Sequence, residues 1–271
     1  MNFPLSADDL SRARADFANY GFVHIKGIFA NYVDDLRAAM VENQGSPSWR
    51  QRTYHPEGDS APFFQDYVVW DQFEGYRKLV KESCMAKLAA QLMGSQTARI
   101  FHDHVLLKFP GTSVETPWHH DAPYYIVSSP LTCSFWVACD PVPRNRSIEY
   151  VAGSHKWADE FRPQRFDGTD LVPGDDRPLA PNIAAHRDDY DIRGFDVEPG
   201  DAVAFDFRVL HGAPANNSDK PRRVTSIRWV GDGAVFKKRH GVSSPSFPSL
   251  DFEDGDMFDG EQFPVIYSEL K

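Results

Sequence analysis

The stretch Thr116-Pro117-Trp118-His119-His120-Asp121 constrains this chain more than any other, because it sets a histidine and a carboxylate two residues apart just after a strand-like run. Residues two apart on a strand share a face, so His119 and Asp121 can grip one ion together. A third ligand then has to come from far along the chain, and Val209-Leu210-His211-Gly212 offers it, after the run from Ala202 to Phe207. Any fold that satisfies this set brings strands distant in sequence side by side. Two histidines and one carboxylate on one side of an ion make the facial arrangement of non-haem Fe(II) sites, in which the opposite positions stay open for a co-substrate and oxygen. A basic residue should follow to hold that co-substrate. Arg222 does, eleven residues beyond His211, at the head of another strand-like run. An H-x-D triplet alone is common, and the signal lies in the ordered set of H-x-D, distal His and Arg.

Trp118-His119-His120-Asp121, the Gly153-Ser154-His155 that follows Ile148-Glu149-Tyr150-Val151, His211-Gly212 and Arg222 together resemble the phytanoyl-CoA dioxygenase family of Fe(II)/2-oxoglutarate oxygenases. The resemblance runs from about Leu10 to Tyr267. It implies a double-stranded β-helix, or jelly roll, with N-terminal helices packed outside. It also implies iron held by His119, Asp121 and His211, with 2-oxoglutarate and O2 as co-substrates and Arg222 anchoring the 2-oxoglutarate. A tryptophan at the place of Trp136 often lies beside 2-oxoglutarate in the family, and the resemblance implies the same here. Many members carry Ser two residues after the distal histidine, where this chain has Ala213, which removes one hydroxyl contact to the co-substrate. Related halogenases have a small residue in place of the carboxylate. With Asp121 present, this chain is expected to hydroxylate or desaturate.

A chain of 271 residues, 41% hydrophobic and 25% charged, is ordinary for a globular protein with a sizeable core, and the expectation is a single domain over 1–271. No run of eighteen apolar residues offers a membrane span, and Met1-Asn2-Phe3-Pro4-Leu5 lacks the basic start and apolar core of a signal peptide, so the cytoplasm is the expected home. Cys84, Cys133 and Cys139 cannot all pair and sit in apolar periodic stretches, which reads as reduced core residues. A formal net charge of −10 argues against binding a nucleic-acid backbone. The expected partner is a small-molecule substrate, with the chain a monomer or homodimer.

Along the chain, Ser6-Ala7-Asp8-Asp9 reads as a capping box, with Leu10, Ala13, Phe17 and Tyr20 at helical spacing and Gly21 ending the helix. Phe22 to Lys26 alternates as a strand with His24 toward solvent, and a second helix fits Tyr32 to Asn43. Residues 1–96 thus read as a mostly helical part with a candidate lid, the aromatic, Pro- and Gly-rich stretch from Gln44 to Tyr76, which reads equally as a loop whose aromatics pack on the core. A core-facing helix is expected from Arg77 to Met93. Residues 97–235 read as strands. In Asp103 to Phe109, His104, Leu106 and Lys108 share one face, which places His104 and Lys108 near the metal or co-substrate if that face looks into a barrel. His155 reads as a loop-fixing residue. The polar insertion 156–194 has the composition of a surface excursion over a barrel mouth, Arg228 shares a face with Arg222, and 236–271 reads as a surface-packing tail.

Helices first and then many short strands give an α+β chain around a closed or sandwiched antiparallel sheet. Such a barrel leaves a mouth for metal and substrate. Two other readings stay open from the residues: a zinc hydrolase using the same three ligands, which leaves Arg222 without a purpose, and a non-catalytic jelly roll that binds a small molecule. The aromatic-rich lid and scattered arginines such as Arg146 and Arg208 suit a compact polar or anionic substrate.

Overall fold

The computed structural model describes residues 4–270, so Met1 to Phe3, which belong to the stretch read for a targeting signal, lie outside the described residues. The chain opens with α1 (Ala7–Tyr20) and β1 (Phe22–Ile25), then α2 (Val33–Gly45), the hairpin β2 (Arg52–Tyr54) and β3 (Phe63–Tyr67), α3 (Glu74–Glu82) and α4 (Met85–Met93). The strands follow: β4 (Thr97–Lys108), β5 (Thr116–His119), β6 (Val127–Ser128), β7 (Thr132–Ala138), β8 (Glu149–Val151), β9 (Ile192–Gly194), β10 (Ala202–Phe205), β11 (His211–Ala213), β12 (Arg222–Val230), β13 (Val235–Phe236) and β14 (Val265–Ser268). Among the described residues no helix is long and apolar enough to cross a membrane.

Side-chain alternation builds two antiparallel sheets into a layered core. The larger sheet runs β1-β10-β7-β12-β4-β3-β2, with β14 also on β4, and the smaller runs β5-β11-β8-β9. On β7, Cys133, Phe135 and Val137 face the helices together with Ile227 and Trp229 of β12 and Val105 and Leu107 of β4. The alternate residues Trp136, Ala138 and Val224 turn inward and pack with Phe205 and Tyr150, whose rings are 5.3 Å apart across the two sheets. A period of two therefore gives each strand of the large sheet one face for the helices and one for the barrel interior.

Local chemistry sets the helix ends. Ser6 Oγ accepts the Asp9 N–H at 3.1 Å, and Gly21, at φ 87°, closes α1 by donating to Phe17 O. The expected single helix from Arg77 to Met93 is instead two. Ser83 leaves the helical region at φ −83°, ψ 174°, its hydroxyl donating to Leu79 O at 2.5 Å and accepting the Met85 N–H at 3.1 Å, so one side chain ends α3 and starts α4.

Two further expectations are corrected, and the stretch from Gln44 to Tyr76 is more regular than its composition suggests. His24 is not turned to solvent: Asp201 Oδ2 holds its Nε2 at 2.9 Å, and its ring lies against Phe195. The lid stretch supplies β2 and β3 to the edge of the large sheet, with Phe63 and Phe64 paired in register with Lys108 and Leu107. The tail is not a surface end, because Phe258 and Phe263 are buried against Phe101 and β14 joins β4. His155 does fix a loop, its Nε2 lying 3.3 Å from Ala18 O at the end of α1, and the three cysteines are free thiols.

Helices α2 and α3 cross so closely that a Cβ on Gly75 would sit 2.1 Å from the Asp35 carbonyl oxygen. Gly75→Val should therefore destabilise the protein by about 1–3 kcal/mol or more, whereas Gly45→Ala, at a position with open space around it, should be near neutral. Urea midpoints read this directly. An unchanged midpoint for Gly75→Val would remove the close crossing from the account.

Candidate metal centre and anion cavity

Antiparallel pairing of β5 with β11 sets His119 directly opposite His211, and the two imidazole centroids are 4.3 Å apart. Each ring is oriented from behind. His119 Nδ1 is 2.7 Å from Pro117 O and His211 Nδ1 is 3.0 Å from Val209 O, contacts that require an Nδ1–H donor and leave both Nε2 lone pairs free. Asp121 joins them by a different route from the one the strand pattern predicts. β5 ends at His119, and Asp121 lies in a helical-type turn (φ −72°, ψ −35°) that leads into a short 3-10 helix over Ala122–Tyr124. Pro123 in that turn lacks the N–H a strand would need. Asp121 Oδ1 still arrives 3.7 Å from His119 Nε2, and ligand atoms of His119, Asp121 and His211 all lie within 4.8 Å of one another.

The charge states suit a cation. Burial pushes His211 down to about 3, helped by the neighbouring His119, and burial likewise lowers His119. Burial alone would raise the Asp121 carboxyl, but Arg228 and then His211 and His119 outweigh it and bring it down to about 2. At neutral pH the site therefore presents two neutral imidazoles and one carboxylate, the donor set a borderline divalent metal takes.

His120, the other histidine of the motif, turns away. Its Nε2 accepts the Phe161 N–H at 2.9 Å and its ring lies 5.1 Å from the Phe161 ring, so it ties the 156–194 insertion to the site.

Arg228 is the residue that sequence reasoning placed on the right face without finding its partner. Its Nε donates to the Tyr125 hydroxyl at 2.7 Å, Nη1 to Ser226 O at 3.1 Å, and Nη2 reaches Asp121 Oδ2 at 3.5 Å. The alternation Arg222, Val224, Ser226, Arg228 could have found its burial. Its pairing with Asp121 depends on the off-strand turn, which no period shows.

Beside the triad lies a small cavity lined by Lys108, Trp136, Arg222, Ala213 and His104, among others, and by His119 and His211. Arg222 and Lys108 are direct partners in the β12–β4 register. Arg222 Nη2 donates to Pro214 O at 2.9 Å and Nη1 to Arg146 O, while Lys108 Nζ donates to Thr116 Oγ1 at 3.1 Å. Neither has a carboxylate within ion-pair distance among the described residues. Burial, then Arg146, depresses Arg222 to about 10, and burial, then Arg222, lowers Lys108 well below the usual lysine range. The Ser226 hydroxyl, in the same cavity, has no hydrogen-bond partner among the described residues. Two buried cations and an orphan hydroxyl without an acid make a cavity built for an anion.

A larger cavity of about 440 Å³ opens on the other side of His119 and Asp121, walled by the β2–β3 hairpin, the insertion and Ser243 to Ser246. His104 lines both cavities, its Nε2 held by Gln65 Oε1 at 2.8 Å and its ring stacked on Tyr67. Of the arginines read from sequence as suited to an anion, Arg208 is paired with Asp206 at 2.6 Å, and Arg146 lies behind Arg222, giving it a carbonyl and acting on its charge.

Residues 17–224 match the family model described as phytanoyl-CoA dioxygenase (PhyH). The chain is 25% identical over 229 residues to a methylphosphonate hydroxylase of Gimesia maris, covering 83% of this chain and 80% of that protein. The epimerase SnoN from nogalamycin biosynthesis, solved with Fe3+, alpha ketoglutarate and nogalamycin RO, superposes with a TM-score of 0.79 at 24% identity, over 96% of this chain and 100% of that one. EctD from S. alaskensis, solved with 2-oxoglutarate and 5-hydroxyectoine, gives 0.68 at 20% identity over 94% and 86%. The two solved structures bear out the jelly-roll expectation for the fold.

The divergent roles of the adjacent histidines are testable by metal content. His119→Ala should lose bound iron, whereas His120→Ala should keep it and instead loosen the insertion to limited proteolysis. Equal loss of iron in both variants would reverse the assignment.

Proposed function

The chain belongs to the phytanoyl-CoA dioxygenase family, and from that premise we propose that it is an Fe(II)- and 2-oxoglutarate-dependent dioxygenase that hydroxylates an unactivated C–H bond of a small polar or anionic molecule. The observation that carries this reading is the adjacency of two features: a largely buried His119, Asp121, His211 cluster and a cavity that holds Lys108 and Arg222 with no acid paired to either among the described residues. A hydrolytic zinc site uses the first feature but gives the second no work. A purely binding jelly roll needs neither an open metal position nor an ionised buried carboxylate.

In this reading His119 and His211, each through Nε2, and Asp121, through a carboxylate oxygen, would hold Fe(II). Iron held there would supply the oxidative chemistry by which 2-oxoglutarate and O2 give succinate, CO2 and a hydroxylated substrate. The chain's own residues do the rest. Arg228 keeps Asp121 ionised and turns Oδ2 away from His119. Arg222 takes the far carboxylate of 2-oxoglutarate with the guanidinium hydrogens its two carbonyl contacts leave over, Lys108 adds a second positive charge, and the Trp136 ring walls the molecule in. His104, between the two cavities, positions co-substrate against substrate. The substrate enters the larger cavity, where the insertion and hairpin exclude water, and we place the enzyme in the cytoplasm.

Truncating Arg222 leaves a desolvated carboxylate facing only Lys108, a loss of about 2–5 kcal/mol. Arg222→Ala should raise the KM for 2-oxoglutarate at least about tenfold while the iron content stays near wild type, because Arg222 is no ligand. Arg222→Lys should recover part of the loss. An unchanged 2-oxoglutarate dependence would move the anchor to Lys108.

A further inference from the structure

The larger cavity carries a one-sided charge. Arg50, Arg52, Arg162, Arg165 and Arg228 line it, and among the described residues Asp121 is its only carboxylate. Three of these arginines already have their work. Arg228 holds Asp121 and Tyr125, Arg162 Nε lies 3.3 Å from Asp170, and Arg165 donates to the carbonyls of Asp170 and Leu171. Arg50 and Arg52 differ. Among the described residues neither has a carboxylate within ion-pair distance. Arg50 uses only Nε, donating to Ser246 O at 2.9 Å, with its guanidinium 4.3 Å from the Trp49 ring centre, so both outer nitrogens are left for a ligand. Arg52 Nη1 donates to the adjacent Gln51 carbonyl at 2.7 Å and Nη2 is unengaged.

Much of the rest of the wall is aromatic. Tyr54 and Tyr67 come from the same hairpin as Arg52, Phe166 from the insertion closes to 5.6 Å from Tyr54, and Tyr124 stands beside His119 at 5.6 Å. At the rim Trp49 and Val242 are 61% and 53% exposed, apolar surface of the kind that marks a ligand entrance. A volume of about 440 Å³ lies in the range that encloses a molecule of drug-like size, far more than a one-carbon anion fills.

We propose, resting on the oxygenase reading of the same site, that the substrate is an amphiphilic anion: a planar, ring-bearing or similarly apolar body with one carboxylate or phosphate. Arg50 and Arg52 take the anionic group at the outer end. The aromatic walls hold the body so that its far end faces His119 and Asp121. A guanidinium already stacked on Trp49 loses little freedom on binding, so Arg50 is a preorganised half of the anion subsite.

The probe is 8-anilinonaphthalene-1-sulfonate, followed by fluorescence in protein loaded anaerobically with Fe(II) and saturated with 2-oxoglutarate. N-phenyl-1-naphthylamine, the same body without the sulfonate, is the uncharged comparison. Arg50→Gln with Arg52→Gln should weaken the anionic probe at least about tenfold and leave the uncharged one within about twofold. The corresponding Lys pair should recover part of the loss. If the Gln pair does not fold, the single Gln variants are read in the same way. Displacement by 1-naphthoate against 1-naphthyl phosphate then ranks carboxylate and phosphate. Wild-type affinity for the anionic probe in the variants, or equal loss of both probes, would overturn the proposal. Calorimetric titration with 2-oxoglutarate separates the two readings. Absent 2-oxoglutarate binding sinks the oxygenase reading and leaves any Arg50 and Arg52 dependence standing, whereas intact 2-oxoglutarate binding with an indifferent anionic probe sinks the subsite alone.

Discussion

A carboxylate that stays ionised while 4% exposed, in direct reach of two imidazoles, has to be held there by charge, and in this protein the holder is Arg228. Without it, desolvation would favour the protonated acid, and a neutral Asp121 would be a poor partner for a divalent cation. The arrangement depends on both sheets at once. Arg228 comes from the centre of the large sheet, His119 and His211 come from the small one, and Asp121 sits on the turn that leaves β5. Stacking the sheets through Trp136, Phe205 and Tyr150 therefore fixes the distance between the guanidinium and the carboxylate. Core packing and metal-site electrostatics are one constraint here.

The same sheet-to-sheet interior explains why cations accumulate where no acid balances them. On the inward faces of β4 and β12, Lys108 and Arg222 have no acid partner among the described residues, while Arg228 reaches Asp121 at 3.5 Å, in a chain whose formal net charge is −10. In the cavity beside the triad, among the described residues, Lys108 and Arg222 line the wall and no acid does. A local potential of that sign draws in an anion and turns away a cationic competitor, whatever the charge of the whole chain.

Much of this was legible in the sequence because strand alternation is a strong signal. The period of two put His104 and Lys108 on one face of β4 and Arg222 with Arg228 on one face of β12, and the ladder between β12 and β4 pairs Arg222 with Lys108. What could not be read was anything that needed a partner from elsewhere. His24 looked solvent-facing because its neighbour Asp201 is far along the chain, and Phe258 and Phe263 looked peripheral because isolated aromatics in a polar stretch have no period. The break at Ser83 is a side chain competing with the helix backbone, which a pattern of apolar spacing passes over. Asp121 was found for a reason that turned out to be wrong in detail: the shared strand face gives way to a turn, and the turn delivers the same oxygen.

The most direct test of the central claim is optical. If His119, Asp121 and His211 hold Fe(II), anaerobic addition of 2-oxoglutarate to the Fe(II)-loaded protein should raise a visible charge-transfer band that saturates stoichiometrically. The band should be absent in His211→Ala under the same conditions. A wild-type protein that binds Fe(II) yet shows no band on adding 2-oxoglutarate, or a His211→Ala variant whose band matches wild type, would contradict the account.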